Sequence, residues 1–477
     1  MRKIIFLTIL CLPPAIGAVR AQSYGGGSGT AANPYLISSK AHLEELAITV
    51  NGGATYSGFH FRLAADLTGI TTVIGNTSAS PFSGTFDGDG YTVALNIHIN
   101  DDGYAGLFGC LAGATVKNTG VSGSIGFDDT DGTYAFSLGG ICGSANGCMF
   151  SHCHNAGDIS ASVSSYSASS AGGICGYSNY TAIDNCYNTG SISVSAPSAG
   201  GICGQSDAAV IGNCYNTGHI SAPYNAGGIC GKGDGTVSNC YNLGNIYASV
   251  RSYSYAGGIC GIDGTVSNCY NAGNISASAS VSSHAGGICG YNGIIRNCFA
   301  ANATIAATAG SQYAGRIVGD GSVLNCHALI SMEVNDQLRR SMNADSKDGA
   351  DAELSACKDA SWITSVLAWD FADVWAIPAG GGLPVLKGLP VPVGNLSPEA
   401  PVAEAVLYPN PAAGEVHIRS GRPVSRVEIY DMAGVCALAV SKAGETVDLR
   451  PLPAGIYAVR IYTPGTPPQT QKLVVRK

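Results

Sequence analysis

From residue 105 to residue 330 the apolar positions fall in short runs, each closed by Gly or Asn. One run reads Ala-Gly-Gly-Ile-Cys-Gly or a close variant, with its isoleucines at Ile141, Ile174, Ile202, Ile229, Ile259 and Ile288, 27 to 33 residues apart. A copy without cysteine precedes them at Ala105-Gly106-Leu107-Phe108-Gly109, and a degraded one follows at Gly315-Arg316-Ile317-Val318-Gly319. The second run reads Val237-Ser238-Asn239-Cys240-Tyr241-Asn242, with equivalents at Asn185-Cys186-Tyr187-Asn188, Asn213-Cys214-Tyr215-Asn216 and Asn268-Cys269-Tyr270-Asn271. Runs this short, ended by residues that accept tight turns, predict strands. No 3.6-residue stripe survives the glycines, so helix is excluded here. One such unit cannot bury its own apolar side, whereas stacked units share a continuous core. The pattern therefore predicts an all-β chain built on a repeat β-solenoid.

The flanks change rhythm. Leu43, Leu46, Ala47 and Val50 lie on one face of a helix predicted over Ser39 to Val50, suited to covering an open end of the solenoid. Trp362, Trp369, Phe371 and Trp375 supply apolar mass for the other cap. Pro392, Pro398 and Pro401 mark a linker. Beyond it, alternating runs at Val416 to Arg419, Val427 to Tyr430, Ile456 to Tyr462 and Lys472 to Val475 predict a small Ig-like β-sandwich. At the other end, Arg2 and Lys3, an apolar run from Ile4 to Leu12, and Val19 and Ala21 before Gln22 read as a secretory signal. The expected organisation is a signal peptide (1–21), an N-terminal flank and cap (22–104), repeats (105–330), a C-terminal cap (331–390), a linker (391–405) and a terminal domain (406–477).

The repeat resembles the GLUG motif family of surface proteins, with Ile-Cys in place of the usual central Leu-Val. The terminal segment resembles a type A sorting domain of the type IX secretion system. The matching residues are Leu407-Tyr408-Pro409-Asn410-Pro411, Tyr430-Asp431-Met432-Ala433-Gly434, Leu452-Pro453-Ala454-Gly455-Ile456-Tyr457 and Lys472-Leu473-Val474-Val475-Arg476-Lys477. This second resemblance implies that residues 406–477 engage type IX secretion machinery. It also implies removal of the domain, often with attachment of the product to surface lipopolysaccharide, and an outer-membrane surface or extracellular location.

Cysteine chemistry enters through the repeats. Twelve of the 18 cysteines form six within-repeat pairs: Cys142 with Cys153, Cys175 with Cys186, Cys203 with Cys214, Cys230 with Cys240, Cys260 with Cys269, and Cys289 with Cys298. An oxidising compartment favours disulfides between them. Stacked free thiols acting as small apolar residues are the alternative. Strand parity leaves the choice open, because Ile229 and Cys230 are neighbours and a regular strand sends neighbours to opposite faces.

Composition narrows the functions. Charged residues make up 12% of the chain, and the net charge is −8. That balance excludes nucleic acid as the main partner. Between residues 140 and 320 the acids (Asp158, Asp184, Asp207, Asp234, Asp263 and Asp320) are scattered, and the only bases are Lys232, Arg251, Arg296 and Arg316. No acid, base and cation set gathers in the sequence, and no cofactor motif is present. His42-Leu43-Glu44-Glu45 lacks the second histidine of a zinc-protease motif. Asp87-Gly88-Asp89-Gly90 and Asp129-Thr130-Asp131-Gly132 read as acidic turns, and Cys148, His152, Cys153 and His154 as a decorated turn, so no metal site is expected. Tyr187, Tyr215, Tyr241, Tyr270 and Phe299 occupy equivalent positions. Exposed, they would form a ladder for sugar rings or a protein edge; facing inward, they are core. The reading that follows is an exported, non-enzymatic β-solenoid for adhesion or for binding a glycan or host protein. The rival is a polysaccharide-degrading enzyme on the same scaffold.

Overall fold

The computed structural model describes residues 24–392, apart from 101–102, 130–134 and 164–168. It also describes most of 406–476, leaving out 409–411, 413, 420–423, 425, 432–435, 442–445 and 463–468. The expected signal peptide and nearly all of the linker lie outside the described residues.

One repeat is one turn of a coil. In a representative turn, Asn225–Gly227 contributes to a third sheet, Cys230–Gly233 and Thr236–Ser238 to a first, and Tyr241–Asn242 and Ile246–Ser249 to a second. Each strand pairs in parallel with its equivalent in the next turn, as in Cys203↔Cys230, Tyr215↔Tyr241 and Ile220↔Ile246. About ten turns stack this way, so at ~4.8 Å per rung the coil is on the order of 50 Å long. Ile141, Ile174, Ile202, Ile229, Ile259 and Ile288 are all fully buried and run as one column through a single continuous core.

The corners explain the rest of the motif. The Asn before each second cysteine has positive φ: 52° at Asn185, 51° at Asn213, 53° at Asn239, 54° at Asn268 and 52° at Asn297. Asn is the non-glycine residue that best tolerates this left-handed bend. At the other corner Ile229 and Cys230 are both buried. The amides of Ile202 and Cys203 both donate to the Ile229 carbonyl at 2.9 Å, so the chain bends there and strand alternation stops. That bend resolves the parity question.

The predicted helix forms as α1, Lys40–Asn51, with Ser39 capping the amide of His42 and Leu43, Leu46, Ala47 and Val50 buried. At the far end, Ala350–Ala352 adds as a strand to His327–Leu329. A second helix, α2 (Ala360–Leu367), leads to Trp369 and Trp375. These tryptophans do not close the end as the sequence suggested: they lie along the flank of the coil, against Tyr241, Tyr270 and Phe299. Among the described residues no helix is long and apolar enough to cross a membrane.

Residues 397–477 form a separate compact unit. Val406–Tyr408, Glu415–Arg419 and Thr446–Asp448 make a three-stranded antiparallel sheet. Cys436–Ser441, Arg426–Tyr430, Gly455–Tyr462 and Gln469–Val475 make a four-stranded one. Val416, Ile418, Val427, Ile429, Val459, Ile461 and Leu473 share its core.

Candidate functional site

The aromatic ladder predicted from the sequence exists. Tyr187, Tyr215, Tyr241, Tyr270 and Phe299 stack face to face at centroid spacings of 4.9, 5.0, 5.1 and 4.9 Å. His154 extends it upstream, stacked 4.8 Å from Tyr187 with the two rings nearly parallel. The extension was visible in the sequence, because His154 holds the residue position after Cys153 that tyrosine holds elsewhere.

Most of this ladder is already occupied. The segment after α2 runs back along it as a strap. Trp369 stacks 5.2 Å from Phe299, Trp375 sits 6.1 Å from Tyr270 and 6.2 Å from Tyr241, and Trp369 and Trp375 stack at 4.5 Å. The Tyr270 hydroxyl donates to the Pro384 carbonyl at 2.7 Å, and the Tyr215 hydroxyl to the Pro390 carbonyl at 3.0 Å. Tyr215, Tyr241, Tyr270 and Phe299 are consequently buried, and Tyr187 is half-buried. Burial pushes the Tyr270 phenol well up and the Tyr241 phenol likewise. These four rings hold the strap and are closed to an outside ligand. Sequence reasoning missed the strap because nothing in its composition says which flank it covers.

The cysteines also form columns, but along the coil axis. Cys142, Cys175, Cys203, Cys230, Cys260 and Cys289 are successive register partners. In the second column the amides of Cys153, Cys186, Cys214, Cys240 and Cys269 each donate to the Sγ of the next cysteine, at 3.3–3.4 Å, ending at Cys298. Each cysteine thus has its equivalents in adjoining turns as neighbours. The sixteen described cysteines are all free and buried, so none of the six within-repeat disulfides is formed. Burial pushes the Cys142, Cys260 and Cys269 thiols well up and the Cys289 thiol up to about 12, which keeps them protonated.

Beside the Tyr column runs a buried amide ladder. Asn155, Asn188, Asn216 and Asn242 each donate from Nδ2 to the Oδ1 of the next, ending at Asn271, at 2.7 Å. The array's carboxylates do similar work. Asp158 accepts from the amide of Ser191 at 2.9 Å, Asp184 from Asn213 at 2.8 Å, Asp207 from the Tyr177 hydroxyl, Asp234 from the amide of Ala208 at 2.6 Å, and Asp263 from Asn292 at 2.8 Å. Every one of these bonds joins one turn to the next. Of the Cys148, His152, Cys153 and His154 cluster, His152 takes the left-handed corner and His154 joins the ladder. Among the described residues no group of three His, Cys, Asp or Glu is placed to hold a metal.

One concave polar site was not foreseen. A cavity of about 210 Å³ opens over the first turns, lined by Asn33, His60, Arg62, Thr85, Asp87 and Lys117 among others. Asp87 pairs with Lys117 at 3.1 Å and accepts from Asn118 at 2.9 Å, and Asp89 lies 3.9 Å from Arg62. Its charges are paired with one another.

Residues 406–476 match the secretion system C-terminal sorting domain. The chain carries an export address at its C-terminus. This type IX sorting domain directs the protein to the cell surface or extracellular space, and the secretion machinery is its partner there. Residues 167–193, within the coil, match the GLUG motif. A stretch of 130 residues (25% of this chain, 14% of the relative) is 28% identical to a candidate Gly-rich membrane protein of Evansella cellulosilytica. Another of 136 residues is 32% identical to halomucin of Haloquadratum walsbyi, covering 24% of this chain and 1% of that protein. The chain thus matches only a small part of the length of either relative. Among solved structures, a candidate immunoglobulin A1 protease from Bacteroides ovatus superposes with a TM-score of 0.41 at 21% identity, over 76% of this chain and 94% of that one. An IgA1 protease superposes with a TM-score of 0.37 at 14% identity, over 76% and 25%.

Proposed function

We propose that the protein is a non-enzymatic binding rod displayed at the cell surface, making adhesive contacts with a glycan or a host protein through the flank of its coil. The observation that carries this reading is the use of the array's carboxylates. Five of the six aspartates between residues 140 and 320, from Asp158 to Asp263, bond to the neighbouring turn. A hydrolase or lyase needs such groups converging on one substrate atom. Here they stitch turns together, which suits a rigid support whose exposed side chains make contacts. After export the sorting domain is removed and the rod is held at the surface through lipopolysaccharide. The test is to probe glycan and protein arrays with the exported protein, and in parallel to incubate it with a panel of polysaccharides and immunoglobulin A. Reproducible binding without product formation is the expected result. Cleavage of any of these substrates by the pure protein would establish the enzyme instead.

A further inference from the structure

In the third sheet the position two residues before the closing glycine, on the strand face opposite the core alanines, changes character along the coil. In register it reads Ser137, Ser170, Ser198 and Asn225, then Tyr255, His284 and Tyr313. Small polar residues give way to rings over three consecutive turns. The core does not call for this, since the packed positions beside them, Ala256, Ala285 and Ala314, stay alanine and buried.

The first sheet faces these rings across a tight corner. A Cβ on Gly290 would lie 2.9 Å from the Ala256 backbone nitrogen, and one on Gly261 3.0 Å from that of Ala226. The two sheets therefore meet at backbone contact, and side chains just beyond the glycines reach across. Tyr291 follows Gly290 and does so. Its ring lies 5.4 Å from Tyr255 and 4.8 Å from His284, edge-on to the latter. His284 and Tyr313 stack at 4.5 Å, and Tyr255 and His284 lie at 5.1 Å. Tyr313 is 44% exposed and Tyr253, one outward position away from Tyr255, 48%.

His284 supplies the second observation. It is 6% exposed, its Nε2 is 3.1 Å from Ser282 Oγ, and its buried Nδ1 has no hydrogen-bond partner. Buried polar atoms without partners are uncommon and call for a reason. The Ser282 hydroxyl can donate to Nε2 or accept from it, and Nδ1 is correspondingly a donor or an acceptor, either of which a hydroxyl can meet. Burial holds this histidine below its ordinary value, although Asp320 opposes the shift.

We propose that Tyr255, His284, Tyr291 and Tyr313 form a subsite for an uncharged glycan. Flat rings pack against the C–H faces of a pyranose, and a sugar hydroxyl supplies the kind of hydrogen-bond partner that His284 Nδ1 lacks. Asp320, exposed and in register with Tyr291, accepts sugar hydroxyls and repels anionic polymers such as uronates. Tyr255, His284 and Tyr313 follow one another turn by turn along the coil axis, which suits a linear chain over a compact protein. The proposal rests on the binding-rod reading and adds to it a place and a ligand class.

The test is calorimetric titration of the exported protein with the hexasaccharides of xylose, mannose and N-acetylglucosamine, with polygalacturonate, and with a proline-rich peptide. One of the neutral oligosaccharides is expected to bind. Tyr291→Ala and Tyr313→Ala should each weaken it about tenfold, near the upper size of one aromatic contact. Tyr313→Trp keeps the ring and should retain affinity. Tyr180→Ala, at a 73% exposed tyrosine elsewhere on the coil, should change nothing, and all variants should keep the wild-type unfolding midpoint. Unchanged sugar affinity in both Tyr291→Ala and Tyr313→Ala would overturn the subsite and leave the binding rod standing. Binding of only the peptide or only polygalacturonate would overturn the ligand class. No binder on any glycan or protein array would remove the wider reading as well.

Discussion

Asn188, Asn216 and Asn242 show how one residue per turn sets the geometry of the coil. Each donates to the next Asn and to the carbonyl two residues on, so both amide hydrogens are satisfied inside the core. The opposite corner must then be glycine. A Cβ on Gly228 would lie 2.1 Å from the Gly258 carbonyl and 2.4 Å from Asn242 Cγ. One turn from the end Ala300 already replaces the Asn while Gly287 is kept, because the next turn's carbonyl still lies 2.2 Å from where its Cβ would be; the last turn changes both positions. There Ala328 stands where the Asn would be, and Arg316 stands where the Gly would be. The guanidinium is fully buried, donating to the carbonyls of Leu329, Asp348 and Gly349, and its Nη1 is 2.7 Å from Asp351. Arg316→Met removes one partner of that pair and should cost about 3–5 kcal/mol, read as a lower midpoint in guanidinium unfolding; a loss within error would show that the clamp is dispensable. Asp87 gives a pH prediction. Burial pushes it up, but hydrogen bonds from Asn118, the Asp89 amide and Lys117 outweigh that and hold it below its ordinary value. A depressed carboxyl stabilises the fold above its unfolded pKa, and that contribution disappears as pH falls through the folded one. The first turns should therefore lose stability below about pH 4. Asp87→Asn should flatten that part of the profile in hydrogen exchange.

At the scale of elements, the cysteine columns and the strap decide what is reachable. Parallel strands in register place equal residues over each other, so a cysteine in every turn becomes an axial stack. Native protein should resist iodoacetamide, and unfolding without reductant should release the thiols for complete alkylation, counted by intact mass. Recovery of short-loop peptides such as Cys230–Cys240, linked until reduced, would show instead that the within-repeat pairs oxidise. The strap covers an apolar ladder that would otherwise be a long exposed aromatic stripe. Trp369 and Trp375 are its anchors, both at most 1% exposed, and they convert a candidate binding surface into core.

For the whole molecule, the sorting domain and the coil are separate compact units with separate cores. Deleting residues 406–477 should leave the coil folded while stopping export, so that the truncated protein collects in the periplasm. Cell fractionation, with mass analysis of the surface form, distinguishes the outcomes. Normal surface display of the truncated chain would show that the C-terminal unit is not the address. In a host with the type IX system, the surface form of the full chain should end between about residues 391 and 406, within the proline-marked segment that precedes the sorting domain.

The chain pattern by itself determined the coil, its period, the helix at Lys40–Asn51 and the antiparallel C-terminal unit. Each rests on local periodicity and turn chemistry, which sequence displays directly. The equivalence of Tyr187, Tyr215, Tyr241, Tyr270 and Phe299 was legible for the same reason. Their burial was not, because it depends on where residues 369–390 dock, more than a hundred positions from Tyr215 and Tyr241. The thiol partners were equally hidden. Spacings of 9 to 11 residues drew attention to pairs within a turn, yet the nearest cysteines are 26 to 33 residues away, since parallel stacking brings equivalents together. The shelf around His284 escaped for a related reason: Tyr255, Tyr291 and Tyr313 belong to different turns and two different sheets, and only the backbone contact at the Gly261 and Gly290 corners brings them onto one surface.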